Sequence, residues 1–409
     1  MTIVGLIVGA AILAFGPSGG AAGSVPRPEP IRVLEATHEV RFPSEVVFNL
    51  RAEGDASITE VTLYYKVSGG RVTIYGYPSF SPANQITAGF TIETDGNSYL
   101  PTGTDIEYYY QLRDALGRSL ETPQFTLEYR DPRYDWQTLQ RGNVKFLWHD
   151  RPVDQVVGVS DAVAERLDEV RQVMGLDAVP PMKAVFVNDT REAERSFPSV
   201  SGTATRTHLY GGFAFREYDL FVLAELHTDG VVHEATHLML DEAVSSAVTQ
   251  VPSWLHEGLA TYFESSSNRR ERSLAQAARS SSLMPLSHMT RQPGKPSDVR
   301  VFYDQSWGVV NHLMSSYGPD QMTTLIQAMG SGKNPNESLW WAYGLTVDDL
   351  DEQWKASLLG STPVAPRPDP GTLITNSLIG GAVAIVLTVA GLRWLRNLLA
   401  PSTSHDTAG

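Results

Sequence analysis

The sequence predicts a multi-domain chain: an all-β sandwich, then an α+β domain, then a single transmembrane helix. Three observations carry this. Between Ile31 and Arg130 apolar and polar residues alternate in short runs separated by Gly, Pro, Asn and Asp. Between Asp131 and Gly360 helical and strand patterns mix around His233-Glu234-Ala235-Thr236-His237. Leu373 to Leu392 is a run of 20 residues without a charge, long enough to span a bilayer.

At the start, Ile3 to Phe15 is apolar and small residues follow through Gly23. That reads as a signal peptide over residues 1–22, with cleavage near Ala21 or Ala22, although Met1-Thr2 carries no Lys or Arg. Pro26, Pro28 and Pro30 follow at once and argue against a buried helix there.

Residues 31–130 form the first domain. Val61, Leu63, Tyr65 and Val67 alternate with Glu60, Thr62, Tyr64 and Lys66, and Ile106, Tyr108, Tyr110 and Leu112 repeat the pattern. This predicts an antiparallel sandwich of about seven short strands, its tyrosines spent on packing. Tyr108 to Thr122, with a turn at Asp114 and Gly117, resembles late hairpins of immunoglobulin-like or fibronectin type III domains.

Residues 131–360 form the second domain. Asn143 to Trp148 reads as a strand. Val156, Val159, Val163, Leu167, Val170 and Met174 recur at helical spacing, and Gly175 ends that helix. Met182 to Val187 and Phe213 to Val222 read as strands, with Gly211 and Gly212 marking either a hairpin or an edge strand able to pair with an extended peptide. Ser265 to Arg272 is polar and reads as mobile. Helices are then predicted over Gln305 to Tyr317, Pro319 to Met329, Ser338 to Tyr343 and Thr346 to Leu359.

His233 and His237 stand four apart, which on a helix places both imidazoles on one face, about 40° apart. Two imidazoles so placed can share one small cation. Glu234 follows the first His and lies beside such a cation without ligating it, as a general base on water must. Thr228 and Asp229 suit the helix start. A second helix begins after Pro252-Ser253, with Ser253 as its cap, and carries Glu257, 20 positions beyond His237. Glu257 completes a His₂Glu set with a fourth position left for water, and no Cys is present to close a structural site.

These residues resemble the gluzincin zinc metallopeptidases, whose thermolysin-like members use the same 20-position offset. Trp254-Leu255-His256-Glu257-Gly258-Leu259-Ala260 is similar to the aminopeptidase N motif, and the overall match is to bacterial peptidase MA-like proteins over roughly residues 150–359. The resemblance implies a zincin-type fold and Zn²⁺ on His233, His237 and Glu257. It further implies peptide-bond hydrolysis by a zinc-activated water with Glu234 as base. Related proteins carry Tyr-x-Gln-Ser, here Tyr303-Asp304-Gln305-Ser306, which nominates Tyr303 as the oxyanion donor ahead of His312. Thermolysin-like enzymes orient a ligating His with an Asp one turn after the Glu ligand; here that place is Thr261, leaving Asp241 or Glu264 as substitutes. His256 reads as a packing residue, and His38, His149, His208, His227, His288 and His405 have no ligand spacing. The missing Asp also motivates an alternative, a cell-surface binding or adhesion protein with a vestigial metal domain.

The chain has 409 residues, a net charge of −14 and no Lys/Arg cluster, which excludes nucleic acid as a partner. Ser361 to Gly371 holds four prolines and reads as a stiff stalk over residues 361–372. Arg393 and Arg396 after the apolar run place residues 393–409 in the cytoplasm and the second domain outside the cell membrane. The expected partners are a peptide or protein substrate and the membrane. Endopeptidase and exopeptidase both stand.

Overall fold

The structure, a computed structural model, describes residues 30–70, 72–198, 211–246, 248–265, 267–280 and 282–360. Its architecture is a β-rich N-terminal region followed by a largely helical C-terminal region.

In the first region β1 (Ile31–Arg41), β2 (Glu45–Val67), β3 (Ile74–Gly76), β4 (Ala83–Glu93), β5 (Thr104–Asp114), β6 (Ser119–Glu121) and β7 (Phe125–Tyr129) join in one seven-stranded sheet. The 23-residue β2 is its spine. The first half of β2 pairs with β1 and β4, the second half with β5 and β3, and the register breaks between Glu53 and Ile58. Val46, Phe48 and Leu50 from the first half and Val61 and Leu63 from the second enter the same core. Phe48 meets Tyr108 of β5 edge-on at 4.9 Å, so the sheet folds back on itself.

This corrects the predicted architecture. The immunoglobulin-like sandwich of two separate sheets is replaced by one continuous hydrogen-bonded sheet. Gly54-Asp55 carries turn chemistry, yet the Asp55 N–H donates to the Pro30 carbonyl at 3.1 Å, and β2 bends through the site rather than ending there. No described element corresponds to the predicted transmembrane helix. Among the described residues no helix is long and apolar enough to cross a membrane. The two longest helices have 22 residues each and are interrupted by charges such as Asp161, Arg166 and Asp304. The predicted signal peptide, stalk, apolar run 373–392 and tail all lie outside the described residues.

In the second region β8 (Gln137–Arg141), β9 (Val144–Trp148), β10 (Met182–Phe186), β11 (Gly212–Phe215) and β12 (Leu220–Leu223) form a five-stranded sheet in the order β11-β12-β10-β9-β8. Its three central strands are parallel and both edges antiparallel. Helix α1 (Val153–Met174) crosses from β9 to β10 and buries Val156, Val163, Leu167 and Val170. Gly175 ends α1 in the left-handed conformation (φ 67°), and the Leu176 N–H closes back on Arg171. The stretch predicted as one strand from Phe213 to Val222 is instead two strands. A short 3₁₀ turn at Arg216–Tyr218 and a left-handed Asp219 fold it into a hairpin that leaves β11 on the edge.

The remaining helices are α2 (Thr190–Ser196), α3 (Thr228–Ala243), α4 (Ser253–Tyr262), α5 (Ser267–Arg279), α6 (Pro296–Tyr317), α7 (Pro319–Gly330), α8 (Pro335–Tyr343) and α9 (Val347–Leu358). Helix α5 occupies much of the stretch that composition predicts as mobile; Leu274 on it is buried in the core. Helices α4 and α6 cross at Gly258, where a Cβ would stand 2.5 Å from the Ser306 carbonyl and from Val310. Only a glycine permits that approach, and it fixes the height of the neighbouring Glu257. The two regions meet through Lys183 on β10, whose Nζ donates to the Gly103 carbonyl at 2.8 Å and pairs with Glu128 and Asp105 at 2.7 Å.

Candidate metal centre

Helix α3 presents Val231, Val232, Ala235, Leu238 and Met239 to the core and turns His233 and His237 toward a cleft. Burying such side chains contributes about 1.5–3 kcal/mol each and fixes the rotation of the helix. The cap is His227, whose Nδ1 accepts from the Gly230 N–H at 2.9 Å; the predicted caps Thr228 and Asp229 lie inside the first turn. Asp229 pairs instead with Arg166 at 2.7 Å and accepts from Ser265. On α4, Trp254, Leu255 and Leu259 are buried and Glu257 faces the two imidazoles. Ser253 does not cap α4; its hydroxyl donates to the Thr290 carbonyl at 3.1 Å.

The Nε2 atoms of His233 and His237 are 3.2 Å apart, and Glu257 Oε2 is 3.5 Å from each. A tetrahedral ion with ligands at about 2.0–2.1 Å requires donor atoms about 3.3 Å apart. Glu257 Oε2 is buried and has no hydrogen-bond partner among the described residues, an arrangement that costs free energy unless a cation meets it. The protonation pattern agrees. Burial disfavours a charge on His233, yet the Glu257 and Glu264 carboxylates outweigh it and hold its pKa up, at about 10. Burial drives His237 down to about 4. Burial opposes ionisation of Glu257, but the two imidazoles hold it well below the usual carboxylate range. The three residues therefore form a group that fits a metal ion.

Each ligand has an outer partner. His233 Nδ1 is 2.8 Å from Glu264 Oε1, and Glu264 is in turn paired with Arg270. His237 Nδ1 is 2.6 Å from His256 Nδ1, and His256 Nε2 is 3.3 Å from Asp241. Thr261 takes no part: its hydroxyl donates to the Glu257 carbonyl of its own helix at 2.6 Å. Gln292 donates to the second oxygen of Glu257, Oε1, at 2.5 Å. Both carboxylates named as substitutes for the missing Asp are engaged, Glu264 directly and Asp241 through a histidine that the sequence assigns to packing.

Glu234 lies on the cleft wall and is 8% exposed. Burial raises its pKa to about 7; the Glu257 and Glu264 charges add to the rise, while His233 and a hydrogen bond from the Ala214 N–H oppose it. Ala214 belongs to the edge strand β11, so that strand and Glu234 share one side of the cleft. Tyr303 stands inside α6 rather than before it. Its ring lies 6.3 Å from that of His233, and its hydroxyl lies 3.3 Å from Gln292 Nε2. His312 lies in a different depression, beside Trp307 and Trp354, away from the cleft. The cleft has a volume of about 870 Å³ and opens along β11, α3, α4 and Tyr303.

Sequence reasoning missed His256 and Gln292. Its adjacency to Glu257 marks His256 only as a neighbour on the helix; the packing of α4 on α3 brings it to His237. Gln292 comes from a loop without periodicity, and no sequence signal points to it.

Residues 207–360 match the family model of the Peptidase MA superfamily. The span contains His233, Glu234, His237, Glu257, Glu264, Gln292 and Tyr303. This region is a peptidase-like, metallopeptidase-related domain, and its His-His-Glu group is a candidate metal site. No curated protein matches the chain. Among solved structures, an aminopeptidase N family protein from Idiomarina loihiensis matches at 9% identity over 78% of this chain and 74% of its own, with a TM-score of 0.31. A carbohydrate-binding module family 56 β-1,3-glucan binding domain matches at 21% identity over 23% of this chain and 96% of its own, TM-score 0.17. OgpA from Akkermansia muciniphila matches at 10% identity over 25% and 29%, TM-score 0.20. Likenesses at these scores assign no fold.

Proposed function

We propose that this protein is a gluzincin-type zinc metallopeptidase that hydrolyses peptide bonds. The observation that carries the reading is the ligand triangle: two imidazole nitrogens and one carboxylate oxygen at 3.2, 3.5 and 3.5 Å, buried at the floor of an open cleft. His233, His237 and Glu257 would hold the ion. Zinc in such a setting lowers the pKa of water toward neutrality and polarises a carbonyl.

The remaining chemistry belongs to the chain. Glu234 follows the first ligand on the same helix and opens on the cleft, where it takes a proton from water and returns it to the leaving amine. The Ala214 N–H holds its carboxylate toward the edge strand. Strand β11 ends the sheet among the described residues, so an extended peptide can add beside it as a further strand. Tyr303, which also lines the cleft, donates a hydrogen bond to the carbonyl oxygen as charge develops there. The apolar segment at residues 3–15 supports an extracytoplasmic setting.

Glu234→Gln tests the mechanism. The variant should keep its bound zinc and lose hydrolysis of a mixed peptide library. Undiminished hydrolysis by a zinc-loaded Glu234→Gln chain would remove Glu234 as the base. The adhesion alternative gains nothing from the site, since each ligand keeps an outer partner and the base position is intact.

A further inference from the structure

The two oxygens of Glu257 have different surroundings. Oε2 faces both imidazoles and has no hydrogen-bond partner among the described residues, whereas Oε1 accepts from Gln292 at 2.5 Å. A carboxylate only accepts, so the side of the Gln292 amide that meets it must be the NH₂ group. The same nitrogen lies 3.3 Å from the Tyr303 hydroxyl. Its two hydrogens thus serve the Glu257 carboxylate and the Tyr303 hydroxyl.

Gln292 reaches this point because its loop caps the helix that carries Glu257. The first N–H groups of α4 have no partner inside the helix. Ser253 N donates to the Thr290 carbonyl at 3.2 Å and Trp254 N to the Met289 carbonyl at 3.0 Å, and the Ser253 hydroxyl adds a third bond to Thr290. Two residues beyond Thr290 the chain delivers Gln292. The loop and Glu257 are therefore referenced to the same helix end.

We propose that Gln292 is a positioning residue: it holds Oε1 so that Glu257 binds the metal through one oxygen, and it anchors the Tyr303 hydroxyl beside that carboxylate. Without the amide, Oε1 is free to turn inward and the carboxylate becomes two-pronged. The fourth position, which must admit water and a substrate carbonyl, is then crowded. This rests on the metal-centre reading above.

The test is made on the full chain with zinc and with cobalt(II) as a spectroscopic substitute. Gln292 is exposed on its loop, so Gln292→Leu should still fold cooperatively, which the denaturation transition of the metal-free protein checks. Its zinc affinity, read by chelator competition, should fall about 10–100-fold. Its cobalt absorption should lose intensity as the coordination number rises from four to five. Zinc affinities within about twofold of the unmodified chain, with unchanged cobalt spectra, would overturn the role of Gln292 and leave the metal centre standing. An unmodified chain that binds neither ion overturns the proposal together with the reading beneath it.

Discussion

His237 and His256 face each other Nδ1 to Nδ1 at 2.6 Å. The contact dictates tautomers. His237 turns Nε2 toward Glu257 and His233, so its proton sits on Nδ1 and is donated to His256. His256 accepts at Nδ1 and therefore carries its own proton on Nε2, where Asp241 waits at 3.3 Å. An imidazole nitrogen here stands where a carboxylate stands for His233, and Asp241 lies one step further out.

Removing that acceptor should be visible in metal binding. His256→Ala leaves the His237 N–H without its partner and should weaken zinc affinity about 10–100-fold. His256→Asn offers a carbonyl oxygen in the same direction and should recover most of the loss. Chelator competition on both variants checks this. Equal affinities for His256→Ala and the unmodified chain would mean that the ring only fills space.

How much of this centre is legible in the sequence follows from the range of each interaction. His233 and His237 share a helix face through the helical period alone, so spacing reveals them. Glu257 is legible once a second helix is recognised after Pro252. His256 and Gln292 are not, because their roles arise from contacts between α3 and α4 and from a loop capping α4, neither of which has a period. The same limit governs the β region. Alternation locates Val61, Leu63, Tyr108 and Tyr110 on the inner face, yet nothing local says that β2 runs on through Gly54-Asp55. The pairing of Ile31–Gly54 across β1 decides it, and tertiary pairing overrides turn chemistry there. The hairpin at Arg216–Tyr218 is hidden for a related reason: no Gly or Pro marks it, and Asp219 takes the left-handed conformation instead.

His149, which has no ligand spacing, sits in a network of its own and predicts a pH dependence. Its Nε2 is 2.6 Å from Glu192 and its Nδ1 2.9 Å from Asp150, with the ring stacked on Tyr134 at 4.0 Å. Burial works against its charge, but the two carboxylates outweigh it and raise the pKa above the ordinary value. The folded state thus holds the proton more tightly than the unfolded chain. The stabilisation is fully present below the unfolded value of about 6.5 and is lost as pH rises through the raised folded value. His149→Gln should cost roughly 1.5–3 kcal/mol in acid and progressively less in alkali, measured by urea unfolding across that range. A cost independent of pH would show that His149 is neutral in the fold.

Gly212 links the edge strand to Glu234, the proposed base. A Cβ built there would stand 2.8 Å from Glu234 Oε1 and 2.6 Å from Leu223 Cδ2. Both atoms are ends of flexible side chains, so Gly212→Ala should fold normally and displace them rather than the backbone. Leu223 can yield into the core, but Glu234 can yield only by leaving the orientation that the Ala214 N–H gives it. His233, His237 and Glu257 are untouched, so bound zinc should stay at the level of the unmodified chain. Because the base acts only as bonds are being made and broken, the loss should fall on kcat, by about 100-fold, with KM little changed. Steady-state kinetics on a peptide substrate, with metal content measured on the same samples, separates the cases. A loss confined to KM would assign Gly212 to substrate binding along β11, and a loss of zinc would mean that the methyl group disturbs α3 itself.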